Sequence, residues 1–157
     1  MIVFAALDAG LCLIAAVPIV IYDLRHHLIT NSSILAFGSA VLALKLIESR
    51  VCFGAALGAI RDGASAFALF LAIYWVSGSS MGLGDVKLAP LLASLAGLGT
   101  FRNFIFWISM IWMWGGVHAL VSAYRHRTLH LRIAFAPALF AGTLTYLAMG
   151  IWSSLPQ

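Results

Sequence analysis

Two aspartates carry the chemistry this sequence can do. Asp85 sits in Met81-Gly82-Leu83-Gly84-Asp85-Val86-Lys87-Leu88, which puts a carboxylate and an ammonium into a mostly apolar chain. A charge inside a membrane segment costs about 2.5–3.5 kcal/mol on insertion scales, so it marks a functional site by default. Gly82 and Gly84 allow a tight turn and a close approach of another chain segment. Asp23 ends the first apolar stretch and is placed to face Asp85. Two carboxylates held close cannot both ionise cheaply, so the pair shares a proton. Such a pair supplies a base to activate water and an acid to protonate a leaving amine. That is enough to hydrolyse a peptide without a metal or a covalent intermediate. A plainer alternative stays open, with Asp85 starting one helix and Asp23 following another as structural residues.

The elements that position these groups must be membrane helices. The chain has 157 residues, 63% of them hydrophobic and only 9% charged, with a mean hydropathy of +1.05. A soluble domain needs far more polar surface. At roughly 20 apolar residues per span, there is room for about six spans in one transmembrane domain over residues 1–157. The formal charge of +4 comes from a few loop residues. These read as orientation signals and contacts to anionic lipid, not as a nucleic-acid surface. No Lys or Arg precedes the first apolar run, so that run lacks the basic start of a signal peptide and is expected to stay as a span.

The expected spans run over 2–22, 33–47, 63–76, 85–98, 104–124 and 133–152. Pro18 is expected to kink the first. Asp8 and Asp23 are about 22 Å apart along one helix, so Asp8 falls in the opposite half of the bilayer and reads as a helix-end residue near the far interface. The run from Asp23 to Asn31 reads as a polar loop, with Asn31 or Ser32 capping the second helix. Lys45, Glu48 and Arg50 read as a second loop. Residues 51–77 form one long or broken helix, interrupted near Arg61 and Asp62. Its Gly54-x-x-x-Gly58 offers a small-residue packing face. The fourth span is short, so the Gly/Ser-rich stretch before it is expected to dip into the membrane beside protein. Phe101, Phe104, Phe106, Trp107, Trp112 and Trp114 are expected to face lipid or the interface.

With six spans, both termini lie on one side. The loops on the Asp23 and Asp85 side carry Arg25, Lys87, Arg125, Arg127 and Arg132. The opposite loops carry Lys45, Arg50 and Arg102. This excess places both aspartates on the cytoplasmic side. Lys87 could reach the interface or bias the aspartate pair. His26, His27, His118, His126 and His130 could suggest a metal, and His126 and His130 have helical ligand spacing, but the flanking arginines disfavour a dication. Cys12 and Cys52 are isolated, so no thiolate zinc site is expected. No Ser/His/Asp order, HExxH or phosphate-loop pattern occurs. The chain is expected to need no cofactor.

Gly82-Leu83-Gly84-Asp85-Val86-Lys87-Leu88 resembles the GxGD signature of type IV prepilin peptidases, the polytopic GxGD aspartyl proteases. Asp23 followed by Ile29-Thr30-Asn31 resembles their first motif, an Asp followed by Ile-Pro-Asn. Ile133-Ala134-Phe135-Ala136-Pro137 resembles the entry to their sixth span, usually Ile-Pro-Phe-Gly-Pro. Thr30 and Ala134 stand where the family has proline. The resemblance covers nearly the whole chain in span order. It implies Asp23 and Asp85 as the catalytic pair, and Gly82, Gly84 and Lys87 in the loop around Asp85. With 157 residues and no CxxC pair, the chain is expected to be a short form without the methyltransferase activity of the larger members. It is similar to the short prepilin peptidases of tight-adherence (Flp) pilus systems. The implied reaction removes a short basic leader, after glycine, from prepilins or pseudopilins at the cytoplasmic face of the inner membrane. The implied partners are those substrates, membrane lipids and a pilus assembly or secretion machinery. A GxGD protease with another substrate, such as preflagellin, and a non-catalytic assembly subunit are the alternatives.

Overall fold

Six helices account for the fold of this computed structural model, which describes residues 2–78, 81–126 and 134–153. They are α1 (Ile2–His26), α2 (Asn31–Ser49), α3 (Ala55–Val76), α4 (Leu83–Ala96), α5 (Phe101–His126) and α6 (Ala136–Ser153). No strand occurs among the described residues. The chain is an all-α polytopic membrane protein: α1, α2, α3 and α5 are each long and apolar enough to cross a membrane. Their outer faces keep Ile14, Leu35, Leu57 and Leu120 exposed, as lipid-facing helices do.

The core is α4. Val86, Leu88, Ala89, Leu92, Ala93, Leu95 and Ala96 are all buried on it. A helix that is apolar on every side belongs inside a bundle. It packs most extensively on α3, and also on α6, α2 and α1. Its 14 residues span about 21 Å, short of the ~30 Å hydrocarbon core. Pro90 is carried inside it without ending it.

Small residues set the closest helix approaches. A Cβ on Gly63 of α3 would collide with Ser94 Oγ and lie 3.1 Å from the Pro90 carbonyl oxygen. The Ser94 hydroxyl donates to Ala59 O across the same contact at 2.8 Å. Gly142 of α6 is tighter against backbone, since a Cβ there would lie 2.6 Å from Ile111 Cα. The Gly54/Gly58 face predicted for packing does not pack. Gly54 is the residue before α3, with φ 99°, and neither glycine has an atom within 4 Å of its missing Cβ.

Several boundaries differ from the sequence reading. Asp23 lies in the last turn of α1, not in a loop. The helix continues because nothing breaks it, and the His26 ring stacks on Tyr22 with centroids 4.2 Å apart. It stops at His27, whose φ of 50° is left-handed, the usual way a helix ends. Thr30, not Asn31 or Ser32, caps α2, accepting from Ser33 N–H at 3.3 Å. Lys45 and Glu48 belong to α2. Arg61 and Asp62 lie inside an unbroken α3. Trp107 does not face lipid: it is fully buried and donates to Thr143 Oγ1 at 3.0 Å.

Candidate active site

Asp23 and Asp85 lie within reach of each other's charge at one end of the bundle. Asp23 comes from the last turn of α1 and Asp85 from the first turn of α4, and both side chains are buried. Asp23 Oδ2 accepts from the Ala136 N–H at 3.0 Å. Ala136 is the first residue of α6, so this carboxylate lies at the positive end of a helix dipole. Asp85 has a matching arrangement on its own helix. Its backbone N–H donates to Gly82 O at 3.1 Å, and its carboxylate accepts from the Gly82 N–H. That is the returning half of a capping box. The carboxylate of Asp23 is close enough for its charge to act on Asp85.

Two contacts hold the segment after Asp23 against the start of α4. Ile29 presses on Gly84, where an added Cβ would lie 2.9 Å from Ile29 Cβ and 3.1 Å from its Cγ1. No larger residue fits there without movement. The Lys87 ammonium donates to Asn31 Oδ1 at 2.9 Å. Lys87 is therefore exposed and fastens α4 to α2. It is not a counter-charge for the aspartates. Gly84 and Lys87 lie in the helix and not in the loop before it, whereas Gly82 is the N-cap. At Gly82 a Cβ would lie 3.2 Å from Asp85 Oδ2, so the carboxylate folds back over this residue.

Two groups absent from the sequence-based site stand beside the pair. One is the Ala136 N–H, whose signal was the Ala134-Phe135-Ala136-Pro137 entry to the last helix. The other is His118 of α5, whose imidazole lies within electrostatic reach of Asp23. The sequence signal for His118 was its ionisable ring inside an apolar helix. His27, also within reach of Asp23, is exposed on the rim.

Other charges gather at the opposite end. Asp8 lies at this end as expected, and it is buried against protein, 6% exposed. Lys45 bridges it to Glu48, with both distances 2.9 Å. Asp62 is clamped by Arg61 at 2.8 Å and accepts from Gly99 N–H at 3.1 Å. A cleft of about 320 Å³ opens here, lined by Arg61, Asp62, Ser65, Gly99, Thr100, Phe101 and Phe104. It is remote from the aspartate pair, and its charges are already neutralised within it. Among the described residues no three His, Cys, Asp or Glu side chains converge as a metal site. His130, the basic run from Arg127 to Arg132, and Ile133 lie outside the described residues.

No family model, curated protein or solved structure matches this chain. Its chemistry therefore rests on its own residues. Two buried carboxylates from separate helices share one end of a membrane bundle, and each is oriented by a backbone N–H at a helix start.

Proposed function

We propose that the chain is a membrane-embedded aspartyl endopeptidase that removes the short leader of type IV prepilins or pseudopilins at the cytoplasmic face of the inner membrane. The observation that carries this reading is the convergence of Asp23 and Asp85 at one end of the bundle. The Gly82-to-Leu88 signature around Asp85 points the same way. Water is the nucleophile. One carboxylate accepts a proton from water as its oxygen bonds to the scissile carbonyl carbon. The C–N bond then breaks, and the partner carboxyl delivers its proton to the leaving amine. The backbone N–H groups of Ala136 and Gly82 hold the two carboxyls so that neither turns away.

One observation favours a second reading, a non-catalytic subunit of a pilus assembly or secretion system. Each aspartate already has a backbone partner at a helix start, which is what a purely structural carboxylate needs.

Cleavage of a prepilin in membranes separates the two. Wild type is compared with Asp23→Asn, Asp85→Asn and Asp8→Asn at matched protein levels, following the size shift of the substrate. Loss of cleavage in the first two with cleavage kept in Asp8→Asn is expected. Activity that survives loss of either Asp23 or Asp85 would refute the two-carboxylate mechanism. A wild type that cuts no prepilin or pseudopilin favours the assembly subunit.

A further inference from the structure

Among the described residues, one buried polar atom at the aspartate end, Nδ1 of His118, has no hydrogen-bond partner. Buried polar atoms in folded proteins are almost always paired, and each exception calls for an explanation such as strain, a functional role or a bound water or ion. The placement of His118 follows from helix geometry. On α5, a Cβ at Gly115 would lie 3.0 Å from the Phe135 ring and 3.7 Å from Ala138 Cβ. That face of α5 therefore lies against the start of α6. His118 follows Gly115 by three residues, so it occupies the same face one turn nearer the aspartates. The neighbouring Ala136 N–H is the one bonded to Asp23 Oδ2.

We propose that His118 positions the substrate, its Nδ1 hydrogen-bonding a backbone amide of the peptide laid across Asp23 and Asp85. This rests on the endopeptidase reading. An extended peptide offers alternating N–H and C=O groups, and an imidazole nitrogen can accept from one or donate to the other. The remaining groups facing Asp23 are otherwise engaged or placed. Ala136 N–H is bonded to it, Asp85 is its partner in the chemistry, and His27 is exposed. His118 adds a buried, open hydrogen-bonding position beside the reacting atoms.

The test is cleavage kinetics in membranes for wild type, His118→Asn, His118→Gln and His118→Phe, with thermal unfolding of each purified protein. Asn sets its amide near the place of Nδ1, Gln reaches the place of Nε2, and Phe keeps the ring but no polar atom. Losing one hydrogen bond to substrate is expected to raise KM about tenfold for Phe and Gln. Because the bond is made equally to bound substrate and transition state, kcat changes little. Asn is expected to stay near wild type. Nδ1 has no partner among the described residues to lose, so the four midpoints are expected to lie close together. A wild-type KM in His118→Phe overturns the inference and leaves the endopeptidase reading standing. So does an effect that follows a fall in thermal midpoint, or rescue by Gln in place of Asn. A wild type that cleaves nothing overturns both.

Discussion

Gly84→Ala is the most direct probe of how the site is held. The new Cβ would start 2.9 Å from Ile29 Cβ, 3.1 Å from Cγ1 and 3.3 Å from Cδ1. Carbon atoms are comfortable at about 3.5–4.0 Å, so the two segments must part by roughly 0.6–1.1 Å. Ile29 cannot swing clear, because its nearest atom is the branched Cβ that any rotamer keeps in place. Overpacking of this kind costs about 1–3 kcal/mol. The gain from replacing a helical glycine offsets up to about 1 kcal/mol of that. A net loss of about 1–2 kcal/mol should appear as a lower thermal midpoint in detergent. The effect on cleavage should be larger than the effect on stability, because a misplacement near 1 Å costs up to about 10²-fold in rate. The control is Ile29→Ala added to Gly84→Ala, which removes Cγ1 and Cδ1 and reopens part of the space. Alanine keeps the Cβ at 2.9 Å, so the double variant should recover only part of the loss, seen as a combined effect on midpoint and rate smaller than the sum of the two singles, a positive coupling between neighbouring residues. If Gly84→Ala cleaves like wild type, or if the double variant is merely the sum of the two singles, the close approach does not position Asp85.

The paired glycines of α3 make a second contrast: Gly63→Ala should lower the thermal midpoint because it meets Ser94 and the Pro90 carbonyl, while Gly58→Ala meets nothing and should be neutral or gain up to about 1 kcal/mol. Thr143→Val leaves the buried Trp107 N–H without its acceptor, and unfolding titrations should record a loss of about 1–3 kcal/mol. Lys45→Met strands the buried Asp8 carboxylate beside Glu48. Removing one partner of a buried pair costs about 3–5 kcal/mol, so reduced yield and a lower midpoint are expected, with a milder loss for Asp8→Asn, which keeps a hydrogen-bonding oxygen.

What the sequence made legible was mostly periodic or additive. Runs of apolar residues marked the helices, and the 1.5 Å rise put Asp8 and Asp23 at opposite ends of α1 before any packing was known. Gly84 was readable as a close-approach residue because it stands two positions inside a helix start next to a carboxylate. The misses depend on packing between distant segments. Lys45 and Glu48 looked like loop residues because three charges in six positions usually end a membrane helix. They stay helical since Asp8, 37 positions away, compensates the ammonium. Gly54-x-x-x-Gly58 matched a spacing rule, but the helix turns that face outward, and it is Gly63 that meets α4. Trp107 resembled its lipid-facing aromatic neighbours, and only Thr143 on the facing helix shows why its N–H can be buried. His118 gave a signal by type alone, with no spacing to connect it to Asp23.

The shortness of α4 has an electrical consequence. Polar groups flank it at both ends, with Asp85 and Asp23 at one and Asp62 beside Gly99 and the open cleft at the other. The apolar helix between these polar ends is then about 21 Å long, against about 30 Å for the surrounding lipid core. A membrane voltage dropping over the shorter length would give a field about 1.4 times stronger there, at about 2.3 kcal/mol per charge for each 100 mV crossed. On the proposed reading, proton movements at the aspartates would take place at the edge of a focused field, and an energised membrane and a depolarised one would be different solvents for the same pair of carboxylates.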